Sequence, residues 1–253
     1  MIITTIQTDI IWEDISNNLK LYQKKINSIK SDIIILPEMF TTGFTMNPES
    51  LSETMDGQTI NWMKNNAKKV NSVICGSIIV KENGSFFNRF IWVQPDGEIK
   101  TYDKKHLFSF AGEDKNYTPG ESKLIIDYKG WRICPLICYD LRFPVWSRNI
   151  EDYDILIYVA NWPSKRKFAW KNLLTSRAIE NQSYVIGVNR VGVDGNGHSY
   201  SGDTSLINPS GETLYISSHV ENIYTTTLEK SDLNKIRSQL PFLIDRDNFQ
   251  INN

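Results

Sequence analysis

The order of the secondary-structure patterns limits the possible folds of this chain more than any single motif does. Short, mainly apolar segments typical of β-strands are followed by segments with the apolar spacing of amphipathic helices. Residues 2–7 and 17–29 form the first such pair, and residues 33–36 and 59–70 form the second. Because an uninterrupted apolar run indicates a strand covered on both faces, this alternation predicts a layered α/β fold.

The middle of the chain carries hairpin signals, and the strand–helix order then returns. Turns with proline and glycine at residues 95–98 and 209–212 each predict a hairpin. The other predicted elements are the strands 73–80, 90–94, 99–102, 124–127, 131–137, 155–160 and 184–191 and the helix 168–181. Mixed sheets flanked by helices follow from this order, and we expect residues 1–253 to form a single domain.

Charge and cysteine content narrow the class of protein further. With 28 lysines and arginines against 29 acidic residues, the formal net charge is -1, which disfavours nucleic acid or an anionic membrane as a partner. No stretch approaches the roughly 18 uncharged apolar residues of a membrane span, and the amino terminus lacks the basic start of a signal peptide. Three cysteines cannot all form pairs, which favours free thiols and a reducing compartment. We therefore expect a cytoplasmic protein.

A glutamate follows a predicted strand in the segment Leu-Pro-Glu-Met-Phe, residues 36–40. Open α/β sheets bind their ligands at the carboxyl ends of strands. Taken alone, a carboxylate in this position is more often a solvated or helix-capping group. The apolar neighbours Met39, Phe40 and Phe44 favour instead a partly desolvated Glu38, as a general base working near neutral pH requires.

A charged segment, Tyr-Asp-Lys-Lys-His-Leu-Phe, occupies residues 102–108. Successive side chains of a strand point to opposite faces, so at most one of the two adjacent lysines can enter a cleft. A solvated strand edge is the simpler interpretation. An inward ammonium would instead stabilise an oxyanion that develops during a reaction.

Cys138 ends an apolar strand and is followed at once by polar residues, in a segment that spans residues 133–144. A thiol at a strand-to-helix turn is similar to the nucleophile elbows of hydrolases, where backbone N–H groups can bind an oxyanion. Cys75 and Cys134 lie in apolar runs and are expected to be inert core residues. The three histidines show no cysteine-protease signature, and no set of residues has metal-ligand spacing, so we expect no metal site.

Together these segments resemble the Glu-Lys-Cys triad of the nitrilase superfamily of carbon–nitrogen hydrolases. Glu38, Lys105 and Cys138 follow the family's order at typical separations, and residues 161–163 and 177–181 are similar to its later blocks. Within the superfamily, residues 37–44 and 144–149 resemble the bacterial omega-amidases. The resemblance covers essentially the whole chain.

The resemblance implies a four-layer α-β-β-α sandwich with two mixed sheets, assembled as a homodimer or a larger oligomer. It also implies a cysteine-dependent amidase without metal or organic cofactor. The expected substrate is the terminal amide of 2-oxoglutaramate or 2-oxosuccinamate, which would give the 2-oxo dicarboxylate and ammonia. The alternatives are another amidase or an N-carbamoyl amino acid hydrolase with the same triad, or an inactive binding protein on the same fold.

In this resemblance Glu38 is the general base, Lys105 the cation beside the oxyanion and Cys138 the nucleophile. The family's additional glutamate falls at Glu113, and the backbone N–H of Tyr139 is the natural second oxyanion donor.

Four residues are candidates for substrate binding: Tyr139, Arg142, Trp162 and Phe44. Arg142 lies four residues after the nucleophile and can bind the far carboxylate of a short dicarboxylic amide. The alternative for Arg142 is an ion pair with Asp140 or Glu180. Lys165 and Arg166 follow Trp162, and a solvated loop is the expectation for both.

Overall fold

The structure, a computed structural model, describes residues 1–251 of the chain. The strands are β1 Ile2–Gln7, β2 Ile33–Ile35, β3 Val73–Glu82, β4 Ser85–Val93, β5 Ile99–Asp103, β6 Ile126–Tyr128, β7 Trp131–Ile137, β8 Ile155–Val159, β9 Tyr184–Val188, β10 Val191–Val193, β11 Ser199–Ile207, β12 Thr213–Ser218 and β13 Asn222–Thr227. The α-helices are α1 Ile15–Ile26, α2 Pro48–Leu51, α3 Gln58–Val70, α4 Glu113–Asn116, α5 Pro144–Ser147, α6 Lys167–Asn181 and α7 Lys230–Gln239. Short 3₁₀ helices span Ser109–Ala111, Cys138–Arg142, Ser164–Arg166 and Phe242–Asp245. Within residues 1–251, no helix combines the length and the apolarity needed to cross a membrane.

The strands form two mixed sheets. The first has the order β13-β1-β2-β3-β4-β5, and the second has the order β10-β11-β9-β8-β7-β6 with β12 also paired to β11. The neighbouring strands β1, β2 and β3 are parallel, as are β7, β8 and β9, and the flanking strands are antiparallel. Each sheet therefore has a parallel centre, whose strands end at one edge.

The alternation of side chains along β2 separates two apolar layers. Ile33 and Ile35 belong to the core cluster that contains residues of both sheets, whereas Ile34 packs with Tyr22 of α1 and Met63 of α3. On the other side of the molecule, α6 packs against β9 and β11. The predicted four-layer α-β-β-α sandwich with two mixed sheets is confirmed.

The hairpin of β3 and β4 is longer than the sequence patterns predict. Its strands pair from Ile74 and Val93 to Glu82 and Ser85, so β4 begins five residues before the predicted strand 90–94. Asn88 consequently lies inside a buried strand, and its backbone carbonyl accepts a hydrogen bond from the Lys104 N–H at 3.0 Å. The hairpin therefore places the Asn88 side chain next to Glu38 and Glu113.

Candidate active site

Two carboxylates and one ammonium form a buried cluster where the end of β5 meets the segment after β2. The Lys104 Nζ lies 3.0 Å from Glu38 Oε1 and 2.9 Å from both carboxylate oxygens of Glu113. All three side chains are completely buried. Charges so far from water are stable only when they are paired and hydrogen-bonded, as these are.

Two asparagines complete the hydrogen bonds of the cluster. The Asn88 Nδ2 donates to Glu38 Oε1 at 2.8 Å and to Glu113 Oε1 at 3.3 Å. The backbone N–H of Asn161, which follows β8, donates to Glu38 Oε2 at 2.7 Å, and the Asn161 side chain donates to the Glu38 carbonyl oxygen at 2.5 Å. Both oxygens of the Glu38 carboxylate are thus held in fixed directions.

The expectation that Lys105 enters the cleft is wrong, because the inward lysine is Lys104. Tyr102 faces the core from β5, and the side chain two positions later, Lys104, lies on the same side. Lys105 is half-buried, and its Nζ lies 5.5 Å from the centre of the Trp146 ring. Only one of the two lysines points inward, as the alternation of side chains along a strand predicts. The apolar Tyr102, two positions earlier, identifies this lysine as Lys104.

The charges in the cluster oppose the effect of burial. Burial alone would lower the pKa of Lys104, but the carboxylates of Glu113 and Glu38 outweigh it and hold that pKa above its ordinary value. Burial raises the pKa of Glu113, and the Lys104 ammonium opposes this rise. Lys104 therefore remains charged at neutral pH.

Cys138 begins the 3₁₀ helix that follows β7, so the expected turn after the strand is present. Its backbone φ of 44° lies in the left-handed region, where a residue with a side chain is strained. Burial raises the pKa of the Cys138 thiol well above its ordinary value, and the negative charge of Glu38 raises it further. The resting group is therefore a thiol that lies next to a carboxylate.

Asp140 fixes this turn from the buried side. One of its oxygens accepts hydrogen bonds from the Tyr102 hydroxyl at 2.8 Å and the Ile137 N–H at 3.0 Å. The other oxygen accepts one from the His106 N–H at 3.0 Å. Asp140 thus connects the Cys138 turn to the segment that carries Lys104, a role that the sequence patterns did not indicate.

A cavity of about 590 Å³ opens beside Cys138. Its lining includes Lys104 and all four predicted substrate-binding residues, Phe44, Tyr139, Arg142 and Trp162. Glu38 and Glu113 do not line the cavity. Both accept hydrogen bonds from Lys104, which does. Over residues 1–251, no group of three or more His, Cys, Asp or Glu side chains is arranged to hold a metal ion.

Arg142 forms neither of the ion pairs that its position allows. The Asp140 oxygens accept hydrogen bonds from the Tyr102 hydroxyl and the His106 N–H. Glu180 forms an ion pair with Arg177 at 2.9 Å. The Arg142 guanidinium instead lies 5.0 Å from the centre of the Trp162 ring. It is therefore a cation of the cavity wall and not part of a structural ion pair.

Of the two basic residues after Trp162, only one lies where it was expected. Lys165 is exposed to solvent, in agreement with a solvated loop. The same expectation is wrong for Arg166, which is half-buried and lines the cavity. No local pattern indicates this position, because it depends on how the loop packs against Phe108.

The Carbon-nitrogen hydrolase family model matches residues 2–238, and the chain belongs to this family. It is accordingly an enzyme that hydrolyses carbon–nitrogen bonds.

Among similar proteins, the Omega-amidase YafV of Escherichia coli (strain K12) is 44% identical over 251 residues, which cover 98% of both sequences. The 2-oxoglutaramate amidase of Bacillus subtilis (strain 168) is 31% identical over 250 residues, which cover 96% of both. The crystal structure of XC1258 from Xanthomonas campestris, a CN-hydrolase superfamily protein with an arsenic adduct in its active site, has a TM-score of 0.97 and 40% identity. That comparison covers 100% of this chain and 99% of that chain. The expected resemblance to the nitrilase superfamily, close to its omega-amidases, is confirmed.

The buried cluster predicts different effects for substitutions of the two neighbouring lysines. Lys104→Met removes the only cation between two buried carboxyl groups, so we expect the free energy of unfolding to fall by about 3–5 kcal/mol at pH 8. The loss is smaller at pH 5, because burial raises the pKa of Glu113, which then binds a proton more tightly in the folded chain than in the unfolded one, and this contribution to stability falls as pH rises. Urea unfolding at both pH values measures this.

Lys105→Met is the matched control. The Lys105 ammonium lies beside the Trp146 ring and outside the buried cluster, so we expect the free energy of unfolding to fall by about 1 kcal/mol, less than in Lys104→Met. A larger loss for Lys105→Met than for Lys104→Met would contradict the assignment of the inward lysine.

Proposed function

We propose that this enzyme is an omega-amidase that hydrolyses the terminal amide of 2-oxoglutaramate or 2-oxosuccinamate through an acyl-enzyme on Cys138. The observation that carries the proposal is the Glu38–Lys104–Glu113 cluster beside the Cys138 thiol. The wall of the same cavity has an arginine, Arg142, that forms no ion pair with a carboxylate of residues 1–251. The names of the relatives in Escherichia coli and Bacillus subtilis support the substrate class.

In the first half of the reaction Glu38 takes the proton of the Cys138 thiol. The sulfur then attacks the amide carbon, and the carbon–oxygen double bond opens to an oxyanion. The Lys104 ammonium and the backbone N–H of Tyr139 are the donors for this oxygen. Removing one such donor costs on the order of 3 kcal/mol in barrier.

In the second half Glu38 returns its proton to the nitrogen, the carbon–nitrogen bond breaks, and ammonia leaves behind a thioester. Glu38 then takes a proton from water, whose oxygen attacks the thioester carbon. The carbon–sulfur bond breaks, the carboxylic acid is released, and the thiol regains its proton. Glu113 keeps Lys104 charged and in position throughout, since it accepts hydrogen bonds with both oxygens.

Arg142 is proposed to bind the carboxylate at the far end of the substrate. It ends the 3₁₀ helix that Cys138 begins, so about one turn of chain separates the nucleophile from the cation. The rings of Phe44 and Trp162 then form apolar walls for the short carbon chain between amide and carboxylate. The centre of the Phe44 ring lies 5.1 Å from the Lys104 Nζ.

We also propose that the enzyme is a cytoplasmic homodimer. The balanced charge and the free cysteines support the compartment. Phe168 and Ile179, two exposed apolar residues of α6, support a second copy as the partner of that helix. Light scattering that gives the mass of a single chain, 29.2 kDa, would exclude the dimer.

Ammonia release is the direct test of the proposed reaction. We expect the wild type to release ammonia from 2-oxoglutaramate and Cys138→Ala to lose at least about 10³-fold in kcat, because the nucleophile is gone. Mass spectrometry of acid-quenched wild type should find the acyl group on Cys138. Cys134→Ala, a buried cysteine outside the cavity, is the control and should keep its activity. Turnover of N-carbamoyl amino acids without turnover of 2-oxoglutaramate would contradict the proposal.

Asn88 predicts a loss of activity. Asn88→Leu removes the N–H donor shared by Glu38 and Glu113, so both buried carboxylates lose a hydrogen bond. We expect kcat/KM for 2-oxoglutaramate to fall by about 10-fold, because a buried acceptor left without its donor costs about 1–3 kcal/mol.

Asn66→Leu is the control for a buried asparagine outside the site, whose side chain donates to the Trp62 carbonyl oxygen, and it should keep kcat/KM within about twofold of the wild type. An equal loss of kcat/KM in the two variants would contradict the prediction.

A further inference from the structure

We propose that Arg166 is a second cation for the anionic end of the substrate and acts with Arg142 to select amides of 2-oxo acids over amides of simple carboxylic acids. This inference rests on the proposed function of the same site and names the residue that would determine its specificity.

The two arginines are held in the same way. The Arg142 guanidinium lies 5.0 Å from the centre of the Trp162 ring, and the Arg166 guanidinium lies 5.0 Å from the centre of the Phe108 ring. A guanidinium supported by a ring keeps the N–H groups at its edge available for acceptor oxygens, and the ring restricts its motion. Both residues line the cavity that contains Cys138.

Trp162 connects the two arginines. Its ring supports Arg142, and its Nε1 donates to the backbone carbonyl oxygen of Arg166 at 2.9 Å. On the other side, the Phe108 ring that supports Arg166 lies 4.9 Å from the ring of Tyr139, the residue after the nucleophile. Both arginines therefore belong to one part of the cavity wall, which is built around the rings of Trp162 and Phe108.

Neither arginine has a carboxylate partner in the protein. Within residues 1–251, Arg142 and Arg166 form no ion pair, whereas Lys104 is paired with two glutamates.

Two acidic residues line the same cavity, and both are bonded to other groups. Glu13 accepts a hydrogen bond from the Thr45 hydroxyl. Asp194 accepts one from the Tyr200 hydroxyl at 2.7 Å and others from the backbone N–H groups of its own turn. Within residues 1–251 neither carboxylate forms an ion pair with Arg142 or Arg166, so the N–H groups of both guanidinium groups remain available to the acceptor oxygens of an anionic ligand.

The number of donors indicates which anion fits. One guanidinium already satisfies an isolated carboxylate through a two-pronged pair of hydrogen bonds. A 2-oxo carboxylate offers three acceptor oxygens in a row, two from the carboxylate and one from the oxo group, and two guanidinium groups can bond to all three. An amide without the oxo group leaves part of that donor set unsatisfied, which is an effective way to reject it.

Four proteins test the inference: the wild type, Arg166→Gln, Arg166→Lys and the control Lys165→Gln, which removes the neighbouring exposed cation. We expect Arg166→Gln to lower kcat/KM for 2-oxoglutaramate by about 10- to 100-fold, mainly through KM, since one charged interaction is lost. The loss for glutaramate, which has the same chain without the oxo group, should be less than about threefold. Arg166→Lys should recover part of the loss, and Lys165→Gln should remain within about twofold of the wild type.

Binding to the Cys138→Ala protein separates this inference from the proposed reaction. We expect calorimetry to show that 2-oxoglutarate binds more tightly than glutarate, and that Arg166→Gln in the same background removes most of the difference. Equal effects of Arg166→Gln and Lys165→Gln, or no preference for 2-oxoglutarate, would overturn the inference even if ammonia release is observed. Absence of ammonia release with an Arg166-dependent preference would instead reject the proposed reaction and keep the anion site.

Discussion

The pairing of the Lys104 ammonium with two carboxylates is the interaction on which the site depends. Moving an ammonium out of water costs several kcal/mol, and this cost is offset only where the carboxylates approach within hydrogen-bond distance. Glu38 comes from the end of β2, Lys104 from the end of β5 and Glu113 from α4, three segments distant in sequence. The charges can be buried only when these segments meet, so the electrostatics of the cluster and the architecture of the first sheet stabilise each other.

The nucleophile comes from the other sheet, which is why the site requires the whole sandwich. Cys138 lies in a strained turn, and strain of this kind persists only where the surroundings determine the conformation. Asp140 and Asn161 fix the conformation of this turn through hydrogen bonds to the first half of the chain. Asp140 accepts one from Tyr102, and Asn161 donates one to Glu38. The thiol is therefore held against the Glu38 carboxylate by hydrogen bonds that cross between the two sheets.

The parts of the site that could be predicted from the sequence are those that local patterns determine. Glu38 and Cys138 each follow an apolar strand, and strand ends of an α/β sheet are where ligands bind. The choice between Lys104 and Lys105 also had a local solution, since Tyr102 marks the inward face of β5. Asn88 had no such local signal, because the first residues of β4 include polar and charged side chains that are not typical of a buried strand. Arg89 lies beside it in that strand only because Glu82 and Asp103 neutralise its charge. That neutralisation depends on the pairing of β3, β4 and β5, which no local pattern reports.

Under the proposed function, the distribution of charge in the cavity favours one orientation of the substrate. The cluster behind Cys138 carries two carboxylates against one ammonium, so it repels a second anion that approaches the sulfur. Arg142 and Arg166 carry the opposite charge and have no carboxylate partner within residues 1–251. In the proposed reaction, a molecule with an anion at one end and a neutral amide at the other is therefore oriented with the amide toward the thiol before any bond changes. An amide whose carboxylate lies beside the reacting carbon would have to bring that charge against Glu38, so the carboxylates that keep Lys104 charged also disfavour this substrate.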